Sequence, residues 1–446
     1  MLSTLTEDHH TRGGAVRSAS DRHPILLCDA GYYGTLAAAR ALGRDGVAVS
    51  IADAERAEPA KWSRHVSRTF TCPPVDDTDR FVEWLLKFGE ENPGHALYAT
   101  SDELCFVLSL HREKLQKNFL LYQPDFDVLS SILDKGVLTQ RAREAGLDTP
   151  ETWLPANDAD VESAAREARG PLMIKPRTQI MLTTHAKGAM APADARGARS
   201  EYARFVRFNR YARIVRERLT AATRPMLQRF YPEAMNGVYS LAGFRDRAGR
   251  HFVTMGANKV LQRPRNMGVG LCFEPAAVEP DLARKVERLL DRIGYYGVFE
   301  VEFIRAGDRW LLIDYNPRFY AQIALDIVRG LPLPQLAYAG ATGNEAEIAR
   351  LVQGVPASGV DGLHAFCNRF SLRILLGAQR VFGGMTREEI ATWRTWRLAK
   401  GSQLVDAVAD RDDPGPYFVE MFKQVRAYAR DPLLFWRMHR PRGPVS

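Results

Sequence analysis

The chain has no apolar run near the roughly 20 residues that a membrane-spanning helix needs, so no integral membrane span is expected. Its opening stretch, MLSTLTEDHHTRGGAVRSASDRH, has no apolar core, which argues against a secretory leader. Cysteine is scarce and scattered: Cys28, Cys72, Cys105, Cys272 and Cys367 include no C-x-x-C pair. An odd, dispersed set is neither a disulfide framework nor a zinc site, and it predicts a reduced, cytoplasmic protein. No internal repeat and no long low-complexity tract is present.

What is present is ordinary globular composition, 46% hydrophobic and 26% charged over 446 residues. At roughly 100–200 residues per domain this predicts two to four domains. The net charge of +8 is concentrated in two places. Residues 201–224 carry seven arginines against Glu201 and Glu217, and residues 346–446 carry fifteen Lys/Arg against ten Asp/Glu. The three-residue spacing of the first cluster reads as one solvated helix ridge, with attraction of an anionic ligand as the other reading. No zinc-finger spacing or aromatic RNA-binding signature accompanies the charge, so no nucleic-acid partner is expected.

Along the chain, residues 1–22 read as a polar tail. HPILLCDAGYYGTLAAARALGRDGVAVSIAD (23–53) reads as strand, glycine turn, helix and strand of a parallel sheet, with Gly31 and Gly34 allowing the turn. HALYATSDELCFVLSLH (95–111) predicts a strand, a polar loop at 100–103 and a helix. DKGVLTQRAREAGLDTPET (134–152) predicts a short helix stopped at Gly146, and GPLMIKPR (170–177) a strand. Between about 226 and 318, β-rich stretches alternate with turns, apart from a helical period at 281–293. The last hundred residues are mostly helix-like.

The most informative stretch is EVEFIRAGDRWLLIDYNPR (300–318). Alternation places Glu300 and Glu302 on one face of a strand, and Asp314 and Asn316 on one face of the returning strand. If the strands pair, Glu302, Asp314 and Asn316 converge. Two carboxylates and an amide oxygen are hard ligands suited to Mg2+, with phosphates and water completing the shell.

This hairpin resembles the magnesium signature of the ATP-grasp superfamily, an acid followed by acid-x-Asn-Pro-Arg. DKGVLTQRAREAGLDTPET, PLMIKP, PMLQRFYP and GYYGVFEVEF resemble further family segments in the family's order, and 23–53 resembles the preATP-grasp unit. The resemblance spans roughly residues 23–345. It implies an α/β architecture (α+β in the core): a Rossmann-like preATP-grasp domain at 23–125, an ATP-grasp domain at 126–345 with a lid at about 150–225, and a helical extension at 346–446. Within the superfamily the chain looks most like ATP-dependent carboligases and carboxylate–amine ligases, with D-aspartate ligase a distant relative.

The resemblance also implies roles. Glu302, Asp314 and Asn316 would hold Mg2+, or Mn2+ in its place. Lys175 would neutralise ATP phosphates, with Lys187 of HAKGAM as the second ATP lysine. Backbone groups of Arg229 and Tyr231, in the run Gln228, Arg229, Phe230, Tyr231, would meet adenine while Gln228 shapes the pocket. Glu233 would reach the ribose. Lys259 would hold phosphate or acyl oxygens, and Arg318 the acyl phosphate or substrate carboxylate; a structural Arg318 paired with Glu300 is the alternative. The chain departs from the family in lacking a clear glycine-rich phosphate loop and in having Asp314 where Glu is commoner. RPRNMGVGLCF (263–273) resembles a substrate-side loop but names no substrate.

The implied activity is an ATP- and Mg2+-dependent ligase that makes an acyl phosphate and couples it to an amine, of an amino acid by preference. Bicarbonate activation of the carboxylase type is the enzymic alternative, although no biotinyl-lysine segment occurs; a non-catalytic ATP-binding scaffold is the other. The expected partners are small carboxylate and amine substrates. A homodimer, and a peripheral membrane contact through the C-terminal extension, stay open.

Overall fold

The computed structural model describes residues 22–183, 188–232, 237–263, 268–356, 364–382 and 385–431. These residues form four sheets.

The first is built around apolar runs too short for helices. ILLC forms β1 (Ile25–Cys28), and the chain continues through α1 (Tyr33–Arg44), β2 (Val49–Asp53), β3 (Arg68–Thr71) and α2 (Thr78–Glu91). It returns through β4 (His95–Leu97), α3 (Asp102–Leu110), α4 (Arg112–Leu115) and β5 (Phe119–Leu121). All pairings are parallel, in the order β3-β2-β1-β4-β5. A parallel sheet is covered on both faces, which is why β1 is buried at every position. Gly34 opens α1 where it meets another part of the chain: a Cβ there would lie 2.9 Å from the Tyr320 carbonyl oxygen. The glycine is therefore needed for close packing against the loop that follows Arg318.

Two helices, α5 (Phe126–Leu133) and α6 (Lys135–Glu144), lead out of this sheet. Asp134 caps α6 by accepting from the backbone N–H groups of Gly136 and Val137. Gly146, at φ +84°, ends the helical stretch.

The next segment holds β6 (Thr152–Trp153), α7 (Asp158–Glu167), β7 (Leu172–Lys175), β8 (Leu182–Thr183), β9 (Ala189–Ala191) and α8 (Ala195–Phe208). β10 (Arg210–Tyr211), α9 (Arg213–Arg218) and β11 (Met226–Arg229) follow. Its four-stranded sheet runs β6-β11-β7-β9 and shares an apolar cluster with α7 and α8, including Val161, Ile174, Tyr202 and Phe205. The arginine-rich stretch 201–224 is not the single helix ridge expected from its spacing. α8 stops at Phe208, Arg210 and Tyr211 pair with Thr183 and Leu182, and a separate short helix follows. The Tyr211 hydroxyl donates to the Thr178 carbonyl at 2.9 Å, which anchors the break. The arginines themselves are exposed, as a solvated face requires.

A seven-stranded sheet forms the centre. Its elements are β12 (Val238–Arg245), β13 (Phe252–Arg263), β14 (Val269–Ala276), α10 (Pro280–Ile293), β15 (Gly297–Ala306) and β16 (Arg309–Asn316). The chain then passes α11 (Ile323–Val328), α12 (Leu333–Ala341), α13 (Glu345–Gln353), β17 (Ala365–Cys367), α14 (Arg369–Phe382), α15 (Arg387–Lys400), β18 (Leu404–Asp406) and α16 (Gly415–Arg430). The order is β16-β15-β12-β13-β14-β17-β18, antiparallel except for the last pair. The segment expected to be a helical extension thus adds two strands to this sheet as well as helices. Cys272 and Cys367 sit opposite one another across β14 and β17 with their Sγ atoms 3.3 Å apart, and all five cysteines are free and buried. No described helix is long and apolar enough to cross a membrane.

Candidate active site

The strand pairing that converges the acids is observed. β15 and β16 are antiparallel with Glu302 opposite Asp314 and Glu300 opposite Asn316, and a register irregularity follows Glu302. Period-two alternation turns all four side chains to one face of the sheet. They open onto a cleft of about 360 Å3 that is also lined by Lys175 from β7, Lys259 from β13, Lys135 from α6 and Arg318. That volume is in the range of small-molecule sites.

Each acid on this face has a cationic or hydrogen-bonding partner. Glu302 is paired with Lys259, Nζ to Oε1 at 2.8 Å. Asp314 is paired with Lys135. Glu300 lies beneath, fully buried, and accepts from Asn316 Nδ2 at 2.5 Å, Gln322 Nε2 at 3.0 Å and the Ser240 hydroxyl. Asn316 is thereby oriented: its amide nitrogen faces Glu300, and its Oδ1 accepts from Arg318 Nη2 at 2.9 Å. Arg318 donates through Nε to Asp102 Oδ1 at 2.6 Å and through Nη1 to the Phe319 carbonyl at 3.1 Å. The alternative pairing of Arg318 with Glu300 does not occur: Glu300 is held by three neutral donors, and Arg318 is turned toward Asp102 of α3.

The charge states follow from this packing. Burial pushes the Lys175 ammonium down to about 8, helped by the neighbouring charge of Lys135 and opposed by Asp314 and Glu302. Burial would also lower Lys259, but the Glu302 carboxylate outweighs it and holds that lysine above its ordinary value. Burial acts to raise Asp314, and the charge and hydrogen bond of Lys135 more than reverse it. Glu300 is pushed up to about 7, first by burial and then by the charge of Glu302. Burial opposes the Arg318 cation, yet Asp102 makes it a firmer cation than usual.

Lys175 Nζ donates to Gln228 Oε1 at 3.1 Å, and Gln228 Nε2 donates to the Thr152 hydroxyl at 3.2 Å. Gln228 therefore holds the tip of the lysine. Arg229, which ends β11, and Phe230 and Tyr231 after it do not line the cleft. The Arg229 N–H donates to the Glu151 carbonyl at 2.9 Å, so only its carbonyl is left for the expected adenine contact. The Phe230 N–H is taken by the Pro171 carbonyl at 2.8 Å. Arg229 also lies over the Tyr231 ring at 5.3 Å. Lys187 and Glu233 lie outside the described residues.

Sequence reasoning passed over several groups. Lys135 and Asp102 make the ion pairs to Asp314 and Arg318 across 179 and 216 residues. Arg177 makes a two-pronged pair with the capping Asp134, Nε to Oδ1 at 2.8 Å and Nη2 to Oδ2 at 2.5 Å, fixing α6 against the end of β7. Asp29 leaves β1 at φ +56°, a conformation that favours glycine. Burial pushes its carboxyl up to about 7, with the Ser101 hydrogen bond opposing. The signal for Lys135 is its place at the start of a helix in DKGVLTQRAREAGLDTPET; for Asp102 it is the polar loop 100–103.

The donor set suits a hard divalent cation. Glu302 and Asp314 face one another as carboxylates, and Asn316 adds an amide oxygen. Their charges are now balanced by Lys259 and Lys135, both of which a bound cation would compete with. Among the described residues no group of three His, Cys, Asp or Glu is arranged to hold a metal.

No protein-family model matches the chain, and no curated protein matches it in sequence. Solved structures do resemble it. The biotin carboxylase domain dimer of Hydrogenobacter thermophilus 2-oxoglutarate carboxylase, bound to MgADP, ADP and bicarbonate, superposes with a TM-score of 0.58 at 15% identity, over 72% of this chain and 70% of that one. Biotin carboxylase from Campylobacter jejuni gives 0.59 at 14% identity, over 71% and 70%. N5-carboxyaminoimidazole ribonucleotide synthetase from Thermus thermophilus gives 0.51 at 18% identity, over 75% and 80%. These enzymes share one architecture, and together with the sheet orders described above they show that this chain has the ATP-grasp fold.

Proposed function

We propose that the chain is an ATP- and Mg2+-dependent ligase that activates a carboxylate as an acyl phosphate and couples it to an amine, of an amino acid by preference. The observation that carries the reading is the gathering of Glu302, Asp314, Asn316, Lys175, Lys259 and Arg318 around one cleft. Phosphoryl transfer is served chiefly by positioning and by charge, and this cleft supplies both. Glu302, Asp314 and Asn316 hold the cation, which when bound neutralises phosphate oxygens. Lys175, braced by Gln228, places a point charge on the nucleotide phosphates. Lys259 lies on the floor of the cleft, where release from Glu302 lets it turn to a phosphate or acyl oxygen. Arg318, steadied by Asp102, presents its remaining donor edge to the acid. Gln228 and the backbone from Arg229 to Tyr231, which lie beside the cleft, are assigned to the adenine, and Lys187 and Glu233 to phosphate and ribose, on the family pattern alone.

The domain division proposed is a preATP-grasp unit at 23–125 and an ATP-grasp unit at 126–345 with its lid at about 150–225. The extension follows at 346–446. A cytoplasmic setting belongs to the same proposal, as does a homodimer, which the dimeric Hydrogenobacter domain supports.

Oxygen labelling tests the chemistry. When an acid labelled with 18O in its carboxylate is turned over, the phosphate released carries one labelled oxygen if an acyl phosphate forms. Unlabelled phosphate with full product formation refutes it. A second reading, bicarbonate activation, is favoured by the likeness in fold to biotin carboxylases. It predicts phosphate labelled from 18O-bicarbonate and no dependence on an added acid.

A further inference from the structure

We propose that α16 docks this protein on an anionic lipid surface. This helix has two faces of opposite character. Its inner face is tied to the N-terminal sheet: Glu420 accepts from the Tyr33 hydroxyl at 3.0 Å and from Gln424 Nε2 at 2.6 Å, and Lys423 Nζ donates to Glu58 at 2.6 Å. Pro416 and Glu420 are buried there. The outer face carries Phe418, Phe422 and Val425, exposed by 59%, 59% and 56%. Ala429 continues them, also exposed. Steps of four, three and four residues make a single stripe about 16 Å long.

A lone exposed apolar side chain is ordinary, whereas two phenylalanines and a valine in one row on a helix mark an interaction surface. The charge pattern identifies the partner. Arg426 and Arg430 are exposed beside the stripe, and the one carboxylate of α16, Glu420, is turned inward. Within α16, Lys423, Arg426 and Arg430 stand against that single carboxylate. An apolar row with aromatics, flanked by arginines, is the composition of a helix that lies in a membrane interface. Anionic lipid satisfies both the stripe and the arginines. A second copy would satisfy only the stripe, because a two-fold contact brings the Arg426 and Arg430 sets toward each other.

The test is sedimentation of the full-length protein with vesicles of phosphatidylserine and phosphatidylcholine, against vesicles of phosphatidylcholine alone. The protein pellets with the anionic vesicles. Phe418→Ser combined with Phe422→Ser lowers the partition coefficient roughly tenfold or more. Arg426→Gln combined with Arg430→Gln lowers it about thirtyfold, since each basic residue near an anionic surface counts about fivefold. Both pairs of substitutions lie on the solvent face and leave the melting temperature and the ATP cleft unchanged. Failure of the wild-type protein to pellet overturns the proposal, as does binding that both double variants retain. A dimer in analytical ultracentrifugation that the phenylalanine variant converts to monomer, with no vesicle binding, assigns the stripe to a second copy instead.

Discussion

The depressed Lys175 is the group whose chemistry can be followed by pH. Its ordinary value is 10.5, and burial, seconded by the Lys135 charge, brings it to about 8. That depression corresponds to about 3.4 kcal/mol of lost preference for the cation. In the proposed site the protonated form is the one that holds nucleotide phosphate, and bound phosphate restores the cation. Affinity for MgADP should therefore be level below pH 8 and fall above it, tending to tenfold per pH unit. Between pH 7 and 9.5 the loss should reach about thirtyfold, or roughly 2 kcal/mol. ADP itself has no titrating phosphate in the upper part of that range. Lys135→Met removes the second cause of the depression and frees Asp314, whose charge favours the Lys175 cation. Both effects raise the lysine, so the fall moves to higher pH. Lys175→Met should bind more weakly and lose the step. Calorimetric titration of MgADP across this range decides. Flat wild-type affinity to pH 9.5, or the same step in Lys175→Met, would refute the assignment of Lys175 to phosphate.

Three substitutions probe the supports of the site. Arg177→Ala removes a pair whose side chains are only 11% and 7% exposed, and should cost about 3–5 kcal/mol in urea unfolding; a loss under about 1 kcal/mol would mean the pair does not hold α6. Asp102→Asn leaves Arg318 without its counter-charge and should cost about 1.5–3 kcal/mol of stability. It should also lower kcat/KM for the acid more than for ATP, and equal losses for both would argue against Arg318 as the acid's partner. Gly34→Ala brings a methyl group within 2.9 Å of the Tyr320 carbonyl oxygen and 3.1 Å of the Phe319 carbonyl carbon. It should destabilise by about 1–3 kcal/mol and slow turnover by shifting the loop after Arg318, and wild-type stability with wild-type kcat would contradict that coupling.

Much of this arrangement was legible because it is local. Alternation in EVEF and WLLIDYN was enough to place Glu302 and Asp314 on paired strands, and the glycine turn with its alanine-rich helix marked β1 and α1. Partners supplied from afar were not legible: nothing near Asp314 points to Lys135, and nothing near Arg318 points to Asp102. Periodicity also misled once. Arginines three apart from 204 to 213 suit a helix, but Tyr211 finds a backbone partner at Thr178, and the strand pairing of 210–211 interrupts it. Gly34 was read as a turn glycine, and its tertiary reason appears only with the Phe319–Tyr320 backbone in place. Substrate identity stays illegible for a different reason: side pockets on a shared fold are set by loops that carry no common pattern.

The central claim, that this cleft activates a carboxylate with ATP, is tested most directly by ADP release. Wild-type protein and the Asn316→Ala variant are compared with Mg2+ over a panel of acids, each paired with amino acids. At least one pair should raise ADP release well above the rate without acid, and the variant should abolish the increase. Stimulated release that survives in Asn316→Ala, or nucleotide hydrolysis indifferent to every acid and to bicarbonate, would contradict it.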